Sequence, residues 1–564
     1  MLDHLSLLYR KFFAEENLIF DLVVLILAWI VLSLLVGIHG EFPINDDWLY
    51  AKSVLILRET GTIRLMNIIS MTLLSNVIWG SLFTTILGFS FVSLRISTLF
   101  ISLATIIIFY LLLKELGVKR QLSMFLTFLI IFNPVFFSLS FTFMTENFFL
   151  ASCLFSAYFY IKYLKKESFT SLIIAVGFSI IATLSRQIAL FLPLSFGIAL
   201  FITSGTKRKT IFSAIIPFFL CILSYAVFYI FLKATNSLPE AFSYHTKIIL
   251  RTAESPLKAI YILLKNIFYT IYDIGFFLIP ILPLIVLNLK KLMRSKFWVI
   301  IFLSIILLIP QIIMIFQNIN RLPLFWNNIH AGGIGAITVL RLENYDRITF
   351  SYLPTMFWLI ISILSSISGT IFISAAIVKL YEKFTSLKLN RYKVHNSILV
   401  FIGLAAIIYW TIFSLSYFFD RYFLILLPFI LIIIIQIFDL NHKNTGKIPI
   451  LLSCLFLCMF ACFTVLGTID FISWNKVRWT ALNELMYKEH ISPDKIDGGY
   501  EFNGWYCYSD RHENRLSDEK WWVRDNEYIV TFGQKTGYSI YREYSFKRLL
   551  PSTTDKLLIL KRKS

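Results

Sequence analysis

The chain has 564 residues, 58% of them hydrophobic and 17% aromatic, with only 15% charged and a mean hydropathy of +0.75. That balance excludes a soluble enzyme with one large core and predicts a polytopic α-helical membrane protein. The net charge of +19 does not indicate a nucleic-acid binder, because the basic residues lie mostly in short loops between apolar runs, where they orient helices in a bilayer.

In chain order, apolar runs of about 18 to 25 residues, each long enough to cross about 30 Å of hydrocarbon, predict about thirteen spans. They lie near 19–38, 93–113, 121–141, 147–164, 169–185, 187–205, 211–232, 266–289, 297–316, 354–378, 397–418, 422–439 and 448–468. The first is too long for a signal-peptide core and has no small-residue cleavage site behind it, so it reads as a retained anchor. Alternate loops are short and basic: Lys114/Lys119/Arg120, Lys162/Lys165/Lys166, Lys207-Arg208-Lys209, Lys290/Lys291/Arg294/Lys296, Lys379 through Lys393, and Lys443/Lys447. The positive-inside rule makes these loops and the N-terminus cytoplasmic. The other side then receives segments 39–92, 233–265 and 317–353, tight loops at Met144–Asn147 and Ser185–Gln187, the Asp420-Arg421-Tyr422 corner, and the tail.

Segment 39–92 is too mixed to cross, and Ser53–Thr60 and Met66–Gly80 look like helices lying in the interface. From residue 469 the composition turns to Trp, Tyr, Asp, Glu, Lys and Gly. A transmembrane domain over 1–468 is therefore followed by a small extracytoplasmic α+β C-terminal domain over 469–564, with an amphipathic helix around Lys476–Tyr487. Strands are expected at Tyr528–Phe532, Tyr538–Phe546 and Leu557–Leu560. The six cysteines give no disulfide framework: Cys507 alone is in a polar region, and the one-turn spacing of Cys454, Cys458 and Cys462 reads as apolar filling of a helix face.

Chemistry at an outer membrane face has no ATP, so group transfer there needs a donor that arrives activated, such as a lipid-linked phosphate sugar. Attack on its anomeric carbon needs a carboxylate to take the incoming proton and cationic or tyrosyl groups to hold the departing phosphate. Asp46 and Asp47 stand just beyond the first span, Glu146 follows in the next outer turn, and Arg58, Arg64, Arg186, Arg321, Arg341, Arg347 and Arg421 are assigned to the same side. Arginine suits phosphate because its planar fork binds two oxygens.

Asp46-Asp47-Trp48-Leu49-Tyr50-Ala51 resembles the Asp-Glu-x-x-Tyr-Ala motif in the first outer loop of GT-C-fold glycosyltransferases, the protein O-mannosyltransferase and aminoarabinose transferase superfamily (glycosyltransferase family 39-like). Phe141 through Asn147 is similar to that family's second acidic loop, Ser185-Arg186-Gln187 recurs in bacterial members, and Asp420-Arg421-Tyr422-Phe423 with Leu427-Pro428 resembles the late Arg-Tyr segment. The resemblance covers about residues 19–440 as topology. It implies an integral-membrane glycosyltransferase of the cell membrane that moves a sugar from a polyprenyl-phosphate-linked donor to a lipid, glycan or protein acceptor, with inversion. Asp46 would be the catalytic carboxylate, Asp47 its neighbour, and Tyr50, Glu146, Arg186, Arg421, Tyr422 and Arg58 substrate-binding. The second acid here is Asp47 where Glu is commoner, and an Asn precedes the pair. Some members hold a divalent cation near the donor phosphate; no compelling ligand set for one stands in the sequence, and His245 and His330 are on the outer side without obvious partners.

Each residue also has a bland reading. Asp46-Asp47 could cap an interfacial helix starting near Trp48, Glu146 could be an ordinary helix-N-terminal acid, Arg186 could snorkel, and Asp420-Arg421 could form a local ion pair. Trp521-Trp522 is explained equally by aromatic packing and by carbohydrate stacking. Two other functions stay open: a lipid-linked glycan flippase or transporter, against which span centres almost free of charge argue, and a ligase using a diphosphate-linked oligosaccharide.

Overall fold

The computed structural model describes residues 17–563 apart from 39, 205–207, 295, 318–321, 324–326, 340–345, 387–393, 417–418, 442–445, 510–520 and 524. Arg321, Arg341, Lys207 and Lys443, and the basic run 387–393, lie outside the described residues. Among the described residues, ten helices are long and apolar enough to cross a membrane, and they fall on ten of the expected spans. The remaining three are Arg120–Ile131, Thr145–Lys166 and Phe169–Ser185, which are shorter or less apolar helices.

The first helices are α1 (Leu18–Val36), α2 (Asp47–Thr60), α3 (Leu74–Leu87), α4 (Phe91–Glu115), α5 (Arg120–Ile131), α6 (Pro134–Leu139), α7 (Thr145–Lys166) and α8 (Phe169–Ser185). After a 3₁₀ turn at Gln187–Leu190 come α9 (Phe191–Ser204), α10 (Arg208–Ala234), α11 (Tyr244–Ala253), α12 (Pro256–Phe277), α13 (Leu282–Val286), α14 (Leu289–Leu292) and α15 (Phe297–Phe316). A β1–β2 hairpin (Ile329–His330, Gly333–Ile334) precedes α16 (Thr355–Ser386), α17 (Val394–Ser414), α18 (Phe423–Phe438) and α19 (Lys447–Asn483).

Several boundaries differ from expectation for local reasons. The run at 121–141 breaks because Pro134 has no N–H and the Asn133 side chain accepts from Val135 and Phe136 N, so one helix ends and another is capped there. The 266–289 span starts ten residues earlier, at Pro256 in a favoured first-turn position, and ends at Phe277, before the Pro280 and Pro283 turns. In the first loop, α2 begins at Asp47, six residues before the expected Ser53. α3 begins only at Leu74, after Leu73 takes a left-handed φ of 55°.

The largest difference is α19, which runs unbroken through the expected boundary at 468 and through Lys476. Two of its charged residues find partners in the tail. Asp470 accepts from Leu549 N and Leu550 N, both at 2.7 Å. The wholly buried Arg478 meets Glu501 at 2.9 Å and also donates to Gly498 O. Paired in this way, the two charges are accommodated inside a continuing helix.

Beyond α19 come β3 (Ile496–Asp497), α20 (Tyr500–Cys507), β4 (Tyr528–Thr531), β5 (Tyr538–Arg548) and β6 (Thr553–Arg562), close to the three expected strands. The sheet order is β3-β4-β6-β5, with β3 parallel to β4 and the other pairs antiparallel. The tail is not a detached module: α20 packs against α2, and α19 packs against β5.

Candidate active site

Four chain segments converge, each at a helix terminus: Asp46 before α2, Glu146 in the first turn of α7, Arg186 after α8 and Arg421 before α18. Asp46 occupies the position before α2, but its side chain caps nothing. Its Oδ2 lies 3.3 Å from Arg421 Nη1, and its Oδ1 accepts the Tyr500 hydroxyl at 2.9 Å. Asp47, the first residue of α2, does not cap the helix either: its wholly buried carboxylate accepts from Phe143 N at 2.8 Å and Ile44 N at 3.3 Å, both outside α2. Asp47 thus ties the first loop to the second acidic loop.

The Asn that precedes the pair also acquires a reason. Asn45 sits at φ 56°, in the left-handed region that Asn tolerates better than most residues. Its N–H donates to Glu501 Oε1 at 2.7 Å, and Glu501 Oε2 accepts from Thr338 at 2.6 Å and pairs with Arg478. On the other flank, Arg95 of α4 donates to Gly40 O at 2.6 Å and to Phe42 O, while Glu41 accepts from Phe91 N at 2.7 Å. The loop carrying Asp46 is therefore fixed to α4, α7 and the tail at once.

Glu146 is buried and holds two cations: Arg186 Nη2 at 2.6 Å and Arg421 Nε at 3.3 Å, the latter ionic without a hydrogen-bond geometry. Arg186 also donates to Thr145 Oγ1 at 2.9 Å through Nε. Next to Glu146, Asn147 Nδ2 bonds Ser140 Oγ, Ser102 Oγ and Phe136 O, which fixes the helix start. Asp420 does not pair locally with the Arg421 side chain; it accepts from Asn328, Ile329 and Arg421 N–H groups, leaving the guanidinium for Asp46 and Glu146. Both guanidinium carbons stand near the Tyr422 ring, at 5.7 Å for Arg186 and 5.8 Å for Arg421.

A cavity of 1120 Å³ opens onto these groups, lined by Asp46, Tyr50, Arg186, His245, Arg421 and Tyr422. Its walls also carry Ile188, Leu190, Ile412 and Phe413, and from the tail Tyr500, Tyr508 and Trp522. Burial, with the Asp46 and Glu146 carboxylates, pushes the Tyr50 phenol well above its usual range. Burial and Asp46 do the same for Tyr500. Both phenols are thus neutral donors. Burial and the two arginines hold His245 below its ordinary value, and its Nδ1 lies 2.6 Å from Ser416 Oγ.

Of the expected site residues, Asp46, Tyr50, Arg186, Arg421 and Tyr422 line the cavity, Glu146 stands behind the arginines, and Asp47 points into the loop framework. Arg58 is not brought in: it is exposed at the far end of α2, twelve helical positions and about 18 Å from Asp46. Among the described residues, no group of three or more His, Cys, Asp or Glu is placed to hold a metal ion. Asp46 and Glu146 are engaged by arginines, so this cavity does not fit a divalent cation. Sequence reasoning missed Tyr500, Tyr508 and Glu501; the one signal in the tail was the Trp521-Trp522 pair.

Among curated proteins, no sequence matches the chain. Solved structures similar to it include the protein O-mannosyltransferase Pmt1–Pmt2 complex of S. cerevisiae bound to the sugar donor, at 15% identity and TM-score 0.32 over 42% of this chain and 36% of that one. ArnT from Cupriavidus metallidurans bound to undecaprenyl phosphate matches at 11% identity and TM-score 0.39, over 83% of this chain and 72% of that one. The oligosaccharyltransferase AglB from Archaeoglobus fulgidus, in complex with an inhibitory peptide and a dolichol-phosphate, matches at 13% and 0.40, over 90% and 61%. The chain spans about a third of the yeast protein it matches. Residues 78–232, which include Glu146 and Arg186 but neither Asp46 nor Arg421, match the model of the dolichyl-phosphate-mannose-protein mannosyltransferase family, the glycosyltransferases that the acidic-loop motifs resemble.

Proposed function

We propose that this protein is a membrane glycosyltransferase that moves a sugar from a polyprenyl-phosphate-linked donor to an acceptor hydroxyl or amine at the outer membrane face. The observation that carries this reading is one cavity bearing a carboxylate not used as a helix cap beside two arginines. The apolar side of the cavity suits a prenyl chain and the arginines suit its phosphate.

In the transfer, Asp46 takes the proton as the acceptor oxygen or nitrogen bonds to the anomeric carbon. The bond from that carbon to the phosphate oxygen breaks with inversion, and polyprenyl phosphate leaves with the electron pair. Arg421 and Arg186 hold the phosphate as its charge grows, and the neutral phenols of Tyr50 and Tyr500 donate hydrogen bonds. Arg421 now shares its charge between Asp46 and Glu146. A donor phosphate competes for it and frees Asp46 for the acceptor. Asp47 serves as the anchor of the loop, and the tail lies on the outer side with Asp46.

The test is release of polyprenyl phosphate from monophosphate-linked sugars by the full chain in nanodiscs, supplied with membrane glycolipid extracts as acceptor. Scrambling of a lipid-linked sugar without release supports a flippase, and release from diphosphate-linked oligosaccharides alone supports a ligase; either outcome contradicts the proposal.

A further inference from the structure

The tail residues Tyr500, Tyr508 and Trp522 form one wall of the cavity that holds Asp46. From this wall we infer that the acceptor is a carbohydrate and that Tyr508 and Trp522 form its subsite; the inference rests on the glycosyltransferase reading above.

Three observations carry it. The wall is backed by rigid rings: the Trp522 centroid is 5.3 Å from that of the wholly buried Trp48, 5.2 Å from Tyr508 and 5.8 Å from Tyr500. Lys52 stands over Trp48 at 5.3 Å and Tyr508 at 5.6 Å, and its ammonium is tied to Gly504 O at 2.9 Å. Ring faces held this way offer a fixed platform.

The backbone is bent to present it. Trp521 and Trp522 take left-handed φ values of 36° and 67°. Bulky residues rarely occupy that region, and such positions concentrate at ligand sites.

The chemistry of the two sides differs. The rest of the lining supplies the guanidinium groups and the aliphatic residues alongside tyrosines and phenylalanines of its own, whereas the three described tail residues lining the cavity are all aromatic. A pyranose has an apolar C–H face and a rim of hydroxyls, which match ring faces bordered by phenol hydroxyls. An acyl chain matches the aliphatic wall instead, and an extended peptide needs backbone partners.

The test is saturation-transfer NMR on the full chain in nanodiscs with methyl α-mannopyranoside, methyl β-glucopyranoside and methyl β-galactopyranoside, and with a Ser/Thr-containing peptide. At least one glycoside is expected to receive saturation on its ring C–H protons. That signal should fall about five- to tenfold in Trp522→Ala and in Tyr508→Leu, survive in Trp522→Phe, and leave undecaprenyl phosphate binding unchanged. The inference is overturned if no glycoside receives saturation, if neither truncation changes the signal, or if only the peptide shows the Trp522 dependence. Loss of undecaprenyl phosphate binding in every variant also overturns it, because the rings would then serve the fold. Failure of the glycosyltransferase reading shows separately, as absence of sugar release from the lipid donor by the unaltered chain.

Discussion

The Tyr500 hydroxyl donates to Asp46 Oδ1 at 2.9 Å across 454 positions of the sequence. A residue of the tail therefore sets the orientation of the carboxylate that stands at the cavity. A hydrogen bond to a charged group contributes about 1.5–3 kcal/mol. Tyr500→Phe is expected to lower kcat by about ten- to a hundredfold while donor binding changes little. Single-turnover transfer alongside a donor-binding titration checks this split.

Glu146 compensates both Arg186 and Arg421 from behind the cavity. Glu146→Gln leaves two buried cations with less negative charge, a defect that costs about 3–5 kcal/mol when a buried pair is broken. The variant should melt at a lower temperature in detergent, and its donor phosphate affinity should change. Glu146→Asp should recover part of the stability.

Asp47 and Asp46 are adjacent in sequence but separate in duty. Asp47→Asn replaces an acceptor of backbone N–H groups with an amide whose NH2 end faces a donor, a loss of about 1–3 kcal/mol. Thermal unfolding should register that loss, while the transfer rate of the folded fraction falls less than in an Asp46 variant.

Much of this arrangement was legible in the sequence because the spans, and the loops between them, follow from hydropathy. Asp46, Glu146, Arg186 and Arg421 each mark a loop that the helices bring to one cavity. Tyr500 and Glu501 were not legible: the first-loop residues they bond, Asp46 and Asn45, lie over 450 residues away, and nothing local distinguishes them from other polar residues of the tail. The helix expected to end near 468 continues to Asn483 for a related reason. Asp470 and Arg478 look like the end of a membrane helix until their partners at Leu549, Leu550 and Glu501 are in place. The line between Asp46 and Asp47 likewise depends on which carboxylate meets Ile44 and Phe143, which spacing cannot tell.

Buried His330 is held at about 3, first by burial and then by Arg548, and its Nδ1 accepts from Gly332 N at 3.0 Å. The unfolded chain takes a proton on this ring near pH 6.5 whereas the folded one does not, so stability falls as pH drops from about 6.5 towards 3. The contribution from this group has a limit of about 1.4 kcal/mol per pH unit. His330→Asn keeps an acceptor and removes the titration. Its unfolding midpoint in detergent should depend less on pH over that window than the midpoint of the unaltered chain.

The central claim is that Asp46 takes the acceptor proton. Its most direct measurement is single-turnover sugar transfer from a polyprenyl-phosphate-linked donor by Asp46→Asn, with donor binding measured on the same preparation. Loss of general-base function predicts a fall of about two to four orders of magnitude in the transfer rate with donor still bound. Transfer at the unaltered rate by a folded Asp46→Asn protein would contradict the account.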